Sequence, residues 1–105
     1  MRISNLAVIT VVFLAPILSA KSADGGAIFN EQCVGCHGPD GKAQTDMGKS
    51  MHAADLTGNG VQRQSEAQLS KVVKNGKGKM PSFDGKLADD DIKAVVTYVK
   101  GLGKK

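Results

Sequence analysis

Ile92, Val95, Val96, Val99 and Leu102 recur at the three- and four-residue intervals of an α-helix. Asp89, Asp90 and Asp91 stand where the positive end of the helix dipole favours acid, and Lys100 stands at the other end. The β-branched content would suit a strand as well. The spacing and the aspartates decide for a helix over 89–100. A second helix is predicted in SEAQLSKVVKNG, 65–76. Ser65 and Gln68 form a capping box, Leu69, Val72 and Val73 form the apolar stripe, and Gly76 stops it. A further helix is predicted over 24–35, with Asp24 as N-cap and Ile28, Phe29, Gln32 and Cys33 on one face. Between these lie a long glycine-rich loop over 38–60, with room for a short helix at 47–51, and a second loop, KGKMPSFDGK. The pattern predicts an all-α chain of three to four helices with long loops between them and no strand. There is no internal repeat.

The first twenty residues follow a different pattern. One basic residue, Arg2, precedes an apolar run from Leu6 to Ala15, then Pro16 and small residues. This is the pattern of a secretory signal peptide, with cleavage expected after Ser22 or after Ala20. The competing reading is an uncleaved anchor. The run falls short of the roughly 20 residues a spanning helix needs, and Pro16 interrupts it. No stable membrane anchor is therefore expected, and residues 23–105 are the exported domain. Export by a cleaved signal peptide makes the periplasm the expected location.

That exported part is poor in core-forming residues. Residues 1–20 hold 14 apolar side chains, against 29 in the remaining 85, and the chain has no tryptophan. A domain of this size is marginal without a staple. A disulfide between Cys33 and Cys36 would close only a tiny loop and add little. A large buried cofactor would add more. The formal net charge of +4 is mild, without arginine clusters or aromatics interleaved with the lysines. Nucleic-acid binding is not suggested.

Cys33, Cys36 and His37 stand in QCVGCHGPDG, and three chemistries compete for them. A redox dithiol needs a βαβ setting, which the pattern lacks. A zinc site needs four ligands. Cys33, Cys36 and His52 could supply three, and no fourth has matching spacing. Covalent haem attachment accounts for all three residues. At a helix end, positions i, i+3 and i+4 share a face. Both thiols can then form thioethers to haem vinyl groups while His37 takes the iron from beneath. C-x-x-C-H is the attachment signature of haem c.

His37 leaves one axial position, with Met47, Met51, Met80 and His52 as candidates. Methionine is usually core filler. Met47 and Met51, four apart, suit packing against the haem edge. Met80 sits in NGKGKMPSF, on a glycine-rich loop stiffened by Pro81, with no helix face to pack on. A loop lets its thioether reach the iron from the far side, in the Met/His ligation known for c cytochromes. Met80 is the expected ligand and His52 the runner-up.

With CVGCHGPDGK, NGKGKMPSF and LADDDIKAVVTYV in view, the exported part resembles the small class I c-type cytochromes, similar to cytochrome c6 and c-553. The resemblance implies a cytochrome c fold round one haem c. It implies that Gly25 and Phe29 pack against Val95 and Tyr98, and that Leu56 packs on the haem. Many relatives have proline where Ala54 stands, in the loop whose carbonyl orients the ligand histidine. A carbonyl from Pro39 or from 53–54 must then serve His37. Many also have a serine N-cap where Ala88 stands.

An iron held by His37 and Met80 has no open position, so the expected function is one-electron transfer by a monohaem carrier in a respiratory or photosynthetic chain, not enzymatic catalysis. Lys74, Lys77, Lys79 and Lys86 bracket Met80, with Lys42 and Lys49 after the haem motif. As a collar they would steer a monomeric carrier to transient redox partners with acidic docking surfaces. Arg63 is a candidate partner for a haem propionate. Were Met80 not a ligand, a haem sensor or weak peroxidase would be the alternative. A haem subunit of a larger redox complex is another.

Overall fold

The computed structural model describes residues 9–12 and 23–104. The expected leader lies outside the described residues except for 9–12, which carry no regular structure. Among the described residues six helices run in order: α1 (Gly25–Gln32), α2 (Val34–His37), α3 (Asp46–Ser50), α4 (Asn59–Gln62), α5 (Glu66–Asn75) and α6 (Asp89–Leu102). Among the described residues there is no strand ladder, only isolated bridges at Lys77–Met80 and Asp84–Leu87. The three longer helices and α3 are those the pattern predicts. The single turns α2 and α4 are additional. The helix expected over 24–35 is interrupted at Cys33, whose φ of −117° separates α1 from α2.

The helix ends follow local chemistry. The Asp24 carboxylate accepts from the Ala27 N–H at 3.2 Å. Ser65 and Gln68 make the reciprocal box at 3.1 and 2.9 Å. α6 begins at Asp89 with half a box: Ala88 offers no side-chain acceptor, but the Asp91 carboxylate accepts from the Ala88 N–H at 3.1 Å. Gly76, at φ 78°, ends α5 in a conformation that a side chain would strain.

α6 is the element on which the others pack. Its Val95 and Leu102 join Phe29 of α1 in one buried cluster, and its Ile92 and Val96 join Leu69 of α5 in another. The first cluster depends on close approach. A Cβ on Gly25 would sit 2.1 Å from the Ala94 carbonyl oxygen of α6. Without it, the Phe29 and Tyr98 rings meet at 5.1 Å between centroids. The pairing of Gly25 and Phe29 with Val95 and Tyr98 is thus present.

Gln62 and Lys100 tie the loop before α5 to the same helix. The Gln62 amide donates to the carbonyls of Leu56 and Val99 at 2.7 and 2.9 Å. The Lys100 ammonium donates to the carbonyls of Gln62 and Gln64 at 2.6 and 2.8 Å. Among the described residues no helix is long and apolar enough to cross a membrane.

Gly25→Ala must push α1 and α6 apart. Its expected cost is about 1–3 kcal/mol, the usual range for overpacking. Denaturant unfolding of the wild type and the variant measures it.

Candidate haem site

α1 carries the motif directly off its last turn. The Cys33 N–H donates to the Phe29 carbonyl at 2.9 Å, and the His37 N–H donates to the Cys33 carbonyl at 2.9 Å. The motif therefore continues the helical path of an element already fixed by Phe29. Cys33, Cys36 and His37 are all half-buried and all line one cavity of about 510 Å³. Its volume lies in the range of cofactor pockets.

The second wall comes from the segment after α5. Lys77 and Met80 exchange backbone hydrogen bonds at 3.1 and 2.9 Å, which turns the chain sharply through Gly78 and Lys79. The segment is anchored back on α5 by Ser82, whose hydroxyl donates to the Lys74 carbonyl at 2.6 Å, and by the Phe83 N–H to the Val73 carbonyl at 3.1 Å. Half-buried Met80 thereby faces the same cavity as His37. Phe83 is only 7% exposed, yet it belongs to neither apolar cluster and instead lines the cavity. Together with Val72, Pro81 and Ala53 it makes an apolar cradle.

The third wall is the chain after α3. The His37 imidazole Nδ1 is 2.9 Å from the Ala54 carbonyl oxygen, the contact of an N–H donor to its acceptor. The carbonyl expected from Pro39 or from 53–54 is thus that of Ala54, although no proline stiffens it. The bond fixes the ring and leaves Nε2 for a ligand. Met51 and His52 follow on the rim. His52 holds the left-handed φ of 54°. Directly after Ala54, Asp55 turns the chain: the Thr57 hydroxyl and N–H both donate to its carboxylate, which holds that carboxyl below its usual range.

The remaining sequence candidates fall elsewhere. Leu56 does not reach the cavity wall and packs on the Phe29–Val95–Leu102 cluster. Arg63 is exposed, with its Nε on the Asn59 carbonyl at 3.3 Å, away from the cavity. Of the lysines, Lys77 and Lys79 line the cavity mouth. Lys74 pairs with Asp89 at 3.3 Å, and the Lys86 ammonium lies 5.9 Å from the Phe83 ring centroid. A larger hollow of about 860 Å³ is a shallow groove between the starts of α1 and α6, and none of the motif residues lines it.

The chemistry of the donor set fits a covalent haem. Burial pushes the free Cys33 thiol up to about 11, the opposite of what an activated redox dithiol requires. Among the described residues no three His, Cys, Asp or Glu side chains converge as metal ligands. Two thiols and an imidazole open instead onto an apolar cradle that the side chains leave unfilled.

Comparison with known proteins agrees. The model of the family described as "Cytochrome C oxidase, cbb3-type, subunit III" matches residues 20–99. The cytochrome c6 of Leptolyngbya boryana is 41% identical over 86 residues, covering 82% of this chain and 98% of the relative. The cbb3-type oxidase subunit FixP of Bradyrhizobium diazoefficiens is 39% identical over 84 residues, but these are only 28% of that protein. Among solved structures, the KustC0563 c-type cytochrome superposes with a TM-score of 0.69 at 30% identity, covering 75% of this chain and 96% of that one. The chain belongs to the class I c-type cytochromes. It has the all-α cytochrome c fold, and its cofactor is a covalently bound haem c.

Proposed function

We propose that the chain is an exported, soluble, monohaem one-electron carrier. In this reading Cys33 and Cys36 hold the haem by thioethers, and His37 and Met80 ligate the iron. The observation that carries it is that one apolar cavity is lined at once by the C-x-x-C-H motif and by Met80 on its anchored turn. The bound haem supplies one-electron exchange at its iron. The residues do the rest. The Ala54 carbonyl holds the His37 proton at Nδ1. Phe83, Val72 and Pro81 exclude water, and a low dielectric disfavours the more charged ferric state. The thioether of Met80 favours ferrous iron as well.

With His37 and Met80 both holding the iron, no position would remain on it for a substrate, which supports a carrier over an enzyme. The 41% identity to a cytochrome c6, over 98% of that relative, supports a carrier over a haem subunit of a larger redox complex. The apolar run over Leu6–Ala15 supports export to the periplasm with removal of the leader after Ser22 or Ala20.

Charge is distributed to suit transient encounters with acidic partners. Exposed Lys77 and Lys79 rim the cavity mouth, while Asp24, Asp89 and Asp90 lie exposed at the starts of α1 and α6. Such an asymmetry orients a carrier in a partner's field before contact. Redox encounters use small surfaces, where on-rate matters more than buried area.

The spectrum of the purified protein tests the ligand set. The wild type should be low-spin in both states, with a far-red thioether-to-ferric charge-transfer band. Met80→Ala should lose that band and turn ferric high-spin. A high-spin ferric wild type would overturn Met80 as ligand. The docking surface is tested on a carboxylate-terminated electrode at low ionic strength. Lys77→Glu with Lys79→Glu should slow electron exchange by about tenfold, with the difference vanishing at high salt. An unchanged rate would remove the lysine rim from the account.

A further inference from the structure

We infer that Thr45 is a positioning residue for the haem ligand His37, replacing the stiffness that a proline at position 54 would give. The inference rests on His37 as the axial ligand. Its basis is a closed ring of hydrogen bonds. The Thr45 hydroxyl lies 2.9 Å from the Gly35 carbonyl and 3.2 Å from the Cys36 carbonyl, so its hydrogen is shared between the two residues that precede His37. The same oxygen accepts from the Gly48 N–H at 2.9 Å, which caps α3. The Gly48 carbonyl then accepts from the Ala53 N–H at 2.9 Å, and the next residue, Ala54, presents the carbonyl that His37 Nδ1 meets at 2.9 Å.

One hydroxyl thus ties the segment that carries the imidazole to the segment that carries its acceptor. Gly48 permits the approach: it is buried, and a Cβ there would lie 2.1 Å from the Cys36 carbonyl oxygen. Thr45 is half-buried, so water replaces its three contacts only in part. Only a hydroxyl can donate to those carbonyls and accept from Gly48 at the same time.

The bond from Nδ1–H to a carbonyl raises the basicity of the ligating nitrogen and so favours ferric iron. Loosening the ring weakens that bond. Thr45→Val keeps the shape and removes the hydroxyl, while Thr45→Ser keeps the hydroxyl. Both are compared with the wild-type haem protein by redox titration and by proton NMR of the ferrous state. In Thr45→Val the midpoint potential should shift upward, and the His37 Nδ1 proton should move upfield and exchange faster with water. Thr45→Ser should match the wild type in all three.

A low-spin Thr45→Val protein with wild-type potential and wild-type Nδ1 proton overturns the inference while leaving His37 ligation intact. A wild-type ferrous protein that lacks a His37 Nδ1 proton in the ring-current region overturns the ligation itself. If Thr45→Val does not accumulate with haem, the wild type decides. A slowly exchanging Thr45 hydroxyl proton close to the Gly48 amide supports the ring, and a freely exchanging one overturns it.

Discussion

The missing side chain of Gly25 sets the geometry of the rest. It lets α1 lie against the Ala94 carbonyl of α6, closer than any residue with a Cβ could. That crossing buries Phe29 against Val95 and sets its ring in tilted contact with Tyr98. The haem motif hangs from the last turn of α1, so the placement of Cys33, Cys36 and His37 is inherited from the helix pair. α6 then reaches the other side of the molecule through Ile92 and Val96, which hold α5 and, through it, the Met80 turn. Through these two packings α6 relates the motif wall of the cavity to the Met80 wall.

The side chains alone make a small interior. Among the described residues seven apolar side chains are buried, in two clusters of three plus Phe83, which faces the cavity. Domains of this size need additional apolar mass or a cross-link. A covalent haem supplies both, and it explains why Phe83 and Val72 line a hollow rather than joining a cluster. Structure and redox chemistry then have the same origin, because the cradle that stabilises the chain also excludes water from the iron.

The sequence was most legible where a local rule acts alone. Asp24, Ser65 with Gln68, and Gly76 mark helix ends through caps that involve residues three or four apart, and all of them hold. The C-x-x-C-H string defines its chemistry by spacing. What depends on long-range placement was less legible. Leu56 has its side chain on the Phe29 cluster and its carbonyl on the Gln62 amide, contacts that no local pattern announces. Arg63 caps its own turn of helix. The role of Thr45 was invisible because its partners lie nine and ten residues away in a loop with no periodic pattern. Thr45 and Gly48, three apart, are an N-cap signal that a loop of small polar residues conceals.

In the proposed ligand set Met80, on its anchored turn, shares one iron with His37. Proton NMR of the ferrous protein with labelled methionine methyl groups addresses it most directly. One methyl should lie far upfield of the others, shifted by the haem ring current, and should vanish in Met80→Leu and persist in Met47→Leu and Met51→Leu. Absence of any such methyl, or its loss in the Met47 or Met51 variant instead, would contradict it.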